Sequence, residues 1–348
     1  MNPAPGPQRP TFLAGVDGGG TGTRVRLQDA AGRTLGQGEG GPSGLGQGIE
    51  PAWRHVQQAL QAAFEAAVLP LAPPEHIALG LGLAGAGVAA QRAAFLAADP
   101  GFALCVLDND GVTQLLGAHA GEPGLVVAAG TGSVAAARDA AGRVWQCGGW
   151  GFPVGDEGSG AWLGLRAMAH AQAVLDGREV PSGLSEAVIS AVIAAESTTD
   201  SATHNAAVAP TAGATADTPA PALLAWCAGA TARRYAELAP AVFGAAEAGC
   251  AVAQALLQAA ADELARLLHA LQARAQPSGP LGQAWPVVAS GSLGPRLAAL
   301  WPAELQARLV SPAGDSMDGA LHLLRAALAA PPSLAPAAQP VGQAAGAR

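Results

Sequence analysis

The sequence predicts an α/β protein of two domains built on a duplicated core. Residues 20–33, GTGTRVRLQDAAGR, return 110 positions later as residues 130–143, GTGSVAAARDAAGR, with eight of fourteen positions identical. Short apolar runs alternate with segments of helical periodicity, which indicates sheets covered by helices. A chain of 348 residues accommodates two domains of ordinary size. Chance repetition of a turn signal in a chain rich in alanine and glycine is the alternative, but the GTG element keeps its spacing in both copies.

The first half alternates between strand and helix patterns. Val56, Leu60, Phe64 and Val68 fall four residues apart, which predicts an amphipathic helix. Residues 23–29 alternate apolar and polar side chains, as a half-buried strand does. The predicted strands are 11–16, 23–29, 77–83 and 102–107, and the predicted helices are 51–68, 88–97 and 111–120.

The second half is more helical. Its predicted strands are 125–129 and 287–292, and its predicted helices are 157–175, 251–273 and 317–330. The core face of the longest helix is predicted to carry Val252, Leu256, Leu264, Leu267, Leu268 and Leu271. Glu196–Pro221 consists of small and polar residues without periodicity, which predicts a flexible insertion. Residues 1–10 and 331–348 are predicted to be disordered tails.

Composition and charge exclude several classes of protein. The net charge is −8 and there is no run of Lys and Arg, so we expect no nucleic-acid partner. The four cysteines at 105, 147, 227 and 250 form no C-x-x-C pair, which argues against a zinc site or a disulfide framework. The first residues lack the apolar segment of a signal peptide, and no apolar run is long enough to span a bilayer. A cytoplasmic protein without a membrane partner is expected.

Each copy of the repeat begins with a glycine-rich turn after a predicted strand. Small residues let an anion approach the backbone N–H groups, so such turns bind phosphate. Two of them in one chain predict a polyphosphate held between the two halves. The alternative is two ordinary hairpins.

Several segments together resemble one superfamily of ATPases. They are GVDGGGTGT at 15–23, DND at 108–110, AAGTGS at 128–133 and GGWGFPVGDEGSGAWLG at 148–164, with weaker matches ASGS at 289–292 and MDGAL at 317–321. This set resembles the actin/hexokinase/heat-shock-70 superfamily and, within it, the BadF/BadG ATPase family that includes N-acetylglucosamine and glucosamine kinases. The resemblance implies a two-domain actin-like ATPase (ribonuclease H-like) fold. The N-terminal domain would span 11–120, the C-terminal domain 121–316, and a helix at 317–330 would pack back on the N-terminal domain.

The resemblance also implies an activity. The chain would use ATP and Mg²⁺ to phosphorylate the 6-hydroxyl of a small amino sugar, N-acetylglucosamine or glucosamine, and a homodimer is compatible with the family. The alternatives are a kinase for another hexose, or an ATP-hydrolysing activator or sugar sensor without kinase activity. The segment GGWGxxxGDEGS favours a kinase, and the absence of paired cysteines argues against the iron–sulfur activators that share the fold.

Site residues follow from the resemblance position by position. Residues that would contact the ATP phosphates are Gly19, Gly20, Thr21, Thr23, Thr131, Gly132 and Ser133. Residues that would contact adenosine are Gly291, Ser292 and Leu293. Residues that would contact the sugar are Ser43, Asp110, Thr131, Gly149, Trp150 and Asp156.

Two carboxylates carry alternatives of their own. Asp17 would hold Mg²⁺, which takes few carboxylates and keeps several waters, or it would only cap the glycine turn. Asp156 would bind sugar hydroxyls, or it would cap the following helix together with Glu157 and Ser159.

The general base is predicted in the segment Asp108-Asn109-Asp110. The residues alone leave the two carboxylates open, since both follow a strand and precede a helix. The resemblance favours Asp110, because the family's base is the Asp of an Asn-Asp step about twenty residues before the GTGS turn. A simple helix cap is the alternative role for Asp110.

Two positions depart from the family pattern. The first phosphate turn often carries Lys or Arg where this chain has Gly22, which removes a charge near the phosphates. Family members often read GPSN where this chain reads GPSG at 41–44. Because that Asn usually faces the sugar, Gly44 leaves the sugar open.

Overall fold

The computed structural model describes residues 10–199, 219–275 and 285–330. Its first half forms one sheet with three helices. The elements in chain order are β1 (Phe12–Gly18), β2 (Thr23–Asp29), β3 (Thr34–Gly40), α1 (Ile49–Ala66), β4 (Ile77–Leu83), α2 (Ala89–Ala97), β5 (Leu104–Asp108) and α3 (Asp110–Ala118). The strand order is β3-β2-β1-β4-β5, with β1, β4 and β5 parallel and the β1–β2–β3 meander antiparallel.

The second half forms a smaller sheet and a larger set of helices. Its elements are β6 (Gly124–Ala129), β7 (Ser133–Arg138), β8 (Val144–Gly148), α4 (Gly160–Leu175), α5 (Gly183–Thr199), α6 (Ala220–Cys227), α7 (Ala232–Ala236), α8 (Ala239–Glu247), α9 (Ala251–Ala275), β9 (Val287–Ser290), α10 (Gly294–Ala298), α11 (Ala303–Gln306) and α12 (Ser316–Ala329). The order β8-β7-β6-β9 repeats the order β3-β2-β1-β4 of the first sheet.

The sequence repeat corresponds to two matching hairpin ends. The Asp29 carboxylate accepts hydrogen bonds from the backbone N–H (2.9 Å) and the Nε (3.1 Å) of Arg33. The Asp139 carboxylate accepts the same two bonds from Arg143, both at 2.8 Å. Identical bonding at equivalent positions confirms the predicted duplication.

The two glycine turns differ in length by one residue. Gly18 pairs with Thr23, which leaves a four-residue turn, whereas Ala129 pairs with Ser133, which leaves a three-residue turn. Equivalent residues are therefore 110 positions apart in the second strand of each hairpin, as Thr23 and Ser133 are, and 111 positions apart in the first strand, as Gly18 and Ala129 are. As a result the counterpart of Asp17 in the second sheet is Ala128.

Helices α3 and α12 join the two halves. Helix α12 places Leu321 and Leu324 against Leu13 and Ala78 of the first sheet. Helix α3 packs on α12 and on β4 and also contacts the second sheet through β6 and β7. The two helices approach closely, because a Cβ on Gly319 would lie 1.7 Å from the Thr113 carbonyl oxygen.

Several predicted boundaries were wrong for physical reasons. Val68 is 90% exposed with a φ of +57°, because α1 ends at Ala66 and the chain turns there. Val252 lies in the first turn of α9 and is 39% exposed, while Ala253 takes the core position. β1 extends to Gly18, so Asp17 lies inside the strand rather than beyond it.

The predicted insertion Glu196–Pro221 lies mainly outside the described residues. At its ends the structure shows helix, since Glu196 belongs to α5 and Pro221 to α6. Glu196 forms an ion pair with Arg234, which holds the end of α5 to α7. The predicted tails also lie outside the described residues, apart from residue 10. In the described ranges, no helix combines the length and the apolar character needed to cross a membrane.

Candidate active site

The first glycine turn, residues 19–22, is open at its tip. The Gly19 N–H donates to the Gly22 carbonyl oxygen at 3.0 Å, which closes the turn. Gly20 and Thr21 are exposed, and a Cβ on Gly19 would meet nothing within 4 Å. A phosphate can therefore approach this backbone, as the sequence predicts for Gly19, Gly20 and Thr21.

Thr23 lies below this turn and not at its surface. Its side chain is 1% exposed, and its hydroxyl is hydrogen-bonded to the Gly41 carbonyl oxygen at 2.6 Å and to the Ser43 hydroxyl at 2.7 Å. Ser43 is itself fully buried. The predicted contacts of the Thr23 hydroxyl with phosphate and of the Ser43 hydroxyl with sugar do not fit this structure, because both hydroxyls are engaged inside the protein.

Asp17 lies at the carboxyl end of β1 beside the turn. Its Oδ2 accepts hydrogen bonds from Arg24 Nη2 at 2.5 Å and Nε at 3.2 Å. Among the described residues, the other oxygen, Oδ1, makes no hydrogen bond. A hard cation such as Mg²⁺ takes an oxygen ligand of this kind, so Asp17 fits the predicted metal role.

Arg24 was missed in the sequence prediction, although a signal for it exists. Asp17 and Arg24 are direct cross-strand partners in the β1–β2 register. Opposite charges at such a pair of positions attract each other. A four-residue turn at 19–22 places Gly18 opposite Thr23 and therefore Asp17 opposite Arg24.

The second glycine turn, residues 130–132, lies on the N-terminus of α4. The Gly160 N–H donates to the Gly130 carbonyl oxygen at 2.8 Å, and the Ala161 N–H donates to the Thr131 carbonyl oxygen at 3.1 Å. The turn's carbonyl groups thus face the helix, and the positive end of the helix dipole lies under the turn. Thr131 is exposed at the tip. This turn too is suited to bind an anion.

Ser133 is buried like its counterpart Thr23. Its hydroxyl donates to the Glu157 carbonyl oxygen at 2.7 Å, and its N–H approaches Asp156 Oδ1 at 3.4 Å. The predicted phosphate contact of the Ser133 side chain therefore does not fit this structure either.

Asp156 is held in a left-handed conformation against the second turn. Its φ is +60°, unusual for a residue other than glycine. A Cβ on Gly132 would lie only 2.9 Å from Asp156 Oδ2, so the carboxylate lies against that glycine. Ser159 caps α4 by accepting from the Trp162 N–H, so capping by Asp156 is not needed. Backbone strain at a single polar residue is typical of functional sites.

The loop that precedes Asp156 is exposed. Gly149 has a φ of +71°, and Trp150 is 86% exposed. Trp150 is therefore available to a ligand and does not belong to the core. Its predicted sugar contact stays a prediction.

The predicted adenosine turn follows β9. The Leu293 N–H donates to the Ala129 carbonyl oxygen at 2.9 Å, which joins this turn to the end of β6. Gly291 has a φ of +77°, and a Cβ there would lie 2.4 Å from the same carbonyl oxygen. Gly291, Ser292 and Leu293 therefore lie beside the second glycine turn.

Asp110 is the first residue of α3 and is exposed. The cap of this helix is Asn109, whose side chain accepts from the Val112 N–H at 2.9 Å, so the alternative role of Asp110 as a simple helix cap does not hold. Burial raises the pKa of Asp110; a hydrogen bond from the Gly111 N–H opposes the rise, and the charge of Asp17 adds to it. In the strand register Asp17 and Asp108 lie on either side of Gly82, and Asp110 follows two residues later at the same edge of the sheet.

Asp108 differs from Asp110 in its surroundings. It ends β5, opposite Gly82, and accepts a hydrogen bond from the Asn109 N–H at 2.8 Å. Burial raises its pKa, whereas that hydrogen bond and the charge of Arg92 lower it. Both carboxylates lie at the edge of the sheet where β1 carries Asp17, and the charge of Asp17 raises the pKa of Asp110.

Gln114 links this region to the second half. It lies one helical turn after Asp110, and its Nε2 donates to the Ser290 hydroxyl at 3.0 Å. Ser290 ends β9 directly before the predicted adenosine turn. Helix α3 thus begins with Asp110 directly after β5 of the first sheet and contacts the end of β9 of the second sheet through Gln114.

Comparison with known proteins agrees with this arrangement. The sequence model of the BadF/BadG/BcrA/BcrD ATPase family matches residues 14–308. The chain belongs to this family. The repeated sheet order described above agrees with the duplicated actin-like fold that the sequence predicts.

Individual relatives are named as sugar kinases. The glucosamine kinase GspK of Vibrio cholerae is 29% identical over 312 residues, 89% of this chain and 94% of that protein. The N-acetylmuramic acid/N-acetylglucosamine kinase of Clostridium acetobutylicum is 29% identical over 170 residues, 48% of this chain and 55% of that protein. A crystal structure from Chromobacterium violaceum, provisionally assigned as an N-acetylglucosamine kinase, is 42% identical with a TM-score of 0.77 and covers 90% of this chain and 99% of that one.

Proposed function

We propose that this family member is an ATP-dependent kinase that phosphorylates the 6-hydroxyl of glucosamine or N-acetylglucosamine. The observation that carries the proposal is the placement of Asp17 and Asp110 at the edge of the first sheet where β1 and β5 end, with Asp17 beside the open glycine turn 19–22. Phosphoryl transfer needs held phosphates, a metal and a base near the nucleophile. Relatives named as glucosamine and N-acetylglucosamine kinases support the choice of an amino sugar.

Asp110 would act as the general base. A carboxylate whose pKa is raised toward neutrality takes a hydroxyl proton more effectively than an ordinary Asp, and such a base contributes on the order of a hundredfold to ten-thousandfold in rate. Asp110 keeps solvent access, so a sugar hydroxyl can reach it. The Arg24 guanidinium pairs with Asp17 and partly offsets its negative charge.

Asp17 would hold Mg²⁺ through its free oxygen. When bound, the ion neutralises charge on the phosphate oxygens. The backbone of the two turns would orient the phosphates, and the turn 291–293 would receive adenosine.

The sugar would lie between loop 41–44 and loop 149–157, one from each half. Asp156 would accept hydrogen bonds from sugar hydroxyls, and Trp150 offers an apolar ring face. Gly44 takes no side-chain part, so the sugar would be recognised mainly by the second half.

The test is ADP release from Mg·ATP in the presence of glucosamine, N-acetylglucosamine, glucose or no sugar. We expect strong stimulation by at least one amino sugar, with phosphate on the 6-oxygen by phosphorus NMR. Stimulation by glucose alone would replace the amino sugar with another hexose. Turnover that ignores every sugar would overturn the kinase and favour an ATP-hydrolysing binding protein.

A further inference from the structure

Each glycine turn is followed by a buried hydroxyl that bonds to a loop of the same half. In the first half, Thr23 is hydrogen-bonded to Gly41 and Ser43. The Ser43 and Gly44 N–H groups both donate back to the Gly19 carbonyl oxygen at 3.1 Å. Turn 19–22 and loop 41–44 therefore form one hydrogen-bonded unit.

The second half repeats the arrangement with different partners. The Ser133 hydroxyl donates to the Glu157 carbonyl oxygen at 2.7 Å, and the Asp156 carboxylate lies against Gly132 of the turn. The Gly149 N–H donates to the Ser133 carbonyl oxygen at 3.1 Å. Both ends of loop 149–157 are thus hydrogen-bonded to Ser133, the residue that directly follows the turn.

The chain positions are equivalent, but the loops are not. Thr23 and Ser133 occupy the same place in the sequence repeat and the same place in the two hairpins. Loop 41–44 follows β3, and loop 149–157 follows β8, which are the matching third strands of the two meanders. The same connection between turn and loop has been kept while the loop sequences differ completely.

From this we infer that Thr23 and Ser133 are positioning residues that couple each phosphate turn to the sugar-facing loop of its own half. The inference deepens the proposed function and rests on it for the role of the loops. An anion that orders a turn would also order the loop bonded beneath it, and a sugar in the loops would order the turns in return, because coupling between two sites is reciprocal. Removing a buried hydroxyl deletes its hydrogen bond and changes the shape of the side chain little, so Thr23→Val and Ser133→Ala can test this coupling.

The experiment measures amide hydrogen exchange with and without Mg²⁺ and a non-hydrolysable ATP analogue. In the wild-type protein we expect the analogue to slow exchange in both loops by at least about fivefold, the lower end of typical coupling between sites. In Thr23→Val the protection of loop 41–44 is lost while that of loop 149–157 stays. In Ser133→Ala the pattern is reversed, and Thr23→Ser retains the wild-type pattern.

Ser185→Ala is the matched control, since Ser185 is also buried and its hydroxyl donates to a backbone oxygen, that of Ser182. It should lower the melting temperature while both loops stay protected. Should Thr23→Val fail to fold, Ser133→Ala decides alone. Unchanged loop protection in the variants, equal loss in both loops, or no protection in the wild type would overturn the coupling. The readout uses no sugar, so it is separate from the sugar screen that tests the kinase.

Discussion

The β1–β2 hairpin and the β6–β7 hairpin share their sheet position, a glycine turn, a buried hydroxyl and an Asp–Arg hairpin end. They differ in what surrounds the turn. The first carries Asp17 with Arg24 and lies near Asp110, whereas the second has Ala128 at the place of Asp17 and lies on the N-terminus of α4. The Asp17–Arg24 ion pair lies beside the first turn, whereas the second turn has the N-terminus of α4 and the Asp156 carboxylate against it. The two hairpins therefore carry their carboxylates at different places, with Asp17 in the first strand of one and Asp156 on a loop against the other.

The strongest test of this asymmetry is Asp110→Asn. We expect turnover to fall by at least about a hundredfold, because the amide cannot take the hydroxyl proton. Stability at neutral pH should not fall. A raised pKa means that the unfolded chain releases the proton first, so this group costs stability as pH rises from the ordinary Asp value through the raised value, and Asn removes that cost.

Asp108→Asn is the matched control for Asp110→Asn and should keep turnover within a few fold. If Asp108→Asn loses turnover and Asp110→Asn keeps it, the base is assigned two residues too late. Steady-state kinetics and thermal melting of both variants check the prediction.

Asp17→Asn should remove the metal dependence if the first hairpin holds Mg²⁺ as proposed. We expect a loss of about a hundredfold in turnover, comparable to removal of one electrostatic contributor to a transition state. Titration of Mg²⁺ at saturating ATP measures it. Asp156→Asn, at the second turn, should leave the Mg²⁺ dependence intact and raise the KM for the sugar. Equal Mg²⁺ curves for Asp17→Asn and the wild type would contradict the assignment.

The pH profile offers a graded test of the same carboxylate pair. Because burial raises the pKa of Asp110, the acid limb of kcat/KM should lie above the ordinary Asp value of about 3.9. Below the limb the carboxylate is protonated, and the rate falls about tenfold per pH unit. A profile that stays flat down to pH 4 would show that Asp110 is not the titrating base.

Gly44→Asn tests whether the first loop contributes little to the sugar. A Cβ at Gly44 would meet the Gly19 and Gly20 backbone only at ordinary contact distances of 3.5 Å, so the loop accommodates the first atoms of a side chain. One added hydrogen bond should lower the sugar KM by about twofold to tenfold. Gly46→Asn, at an exposed glycine of the same region, is the control and should leave the KM unchanged. Equal KM values for both variants would show that position 44 does not face the sugar.

Gly22→Lys should have the smallest effect. The position is partly exposed, and a Cβ there would lie 3.6 Å from the Gly40 carbonyl oxygen. An added surface charge near the phosphates should lower the KM for ATP by about twofold to fivefold at low salt, with the gain reduced at higher ionic strength. Thr34→Lys, at the exposed start of β3, is the control. Gly32→Lys on the far hairpin end would not serve, because the φ of Gly32 is +88°. A gain that salt does not reduce would contradict an electrostatic origin.

The sequence predicted the frame better than the side-chain contacts. The repeat, the open turns and the strand at 77–83 follow from local chemistry, and the structure confirms them. Thr23, Ser133 and Ser43 were assigned to ligands from the family resemblance. Their burial depends on the loops that fold over them, and no pattern along one strand reveals that.

Helices α5 and α8 of the second half were not predicted from the sequence. They face each other, and neither has a sharp apolar stripe in its sequence. Asn109 as the cap of α3, in contrast, was within reach of sequence reasoning. The segment DND offers three candidate caps in a row. Which of them caps α3 depends on where β5 ends, and that end is set by the pairing of β5 with β4.

Helix α12 has a consequence for how the chain is made. Its residues 316–329 complete the packing of the first sheet, and Asp315 at its start holds Arg26 of β2 through two bonds of 3.1 and 2.8 Å. A ribosome delivers the strands of that sheet some two hundred residues before this helix. During synthesis the part of the sheet face that Leu321 and Leu324 cover therefore stays open until residues 316–329 have emerged.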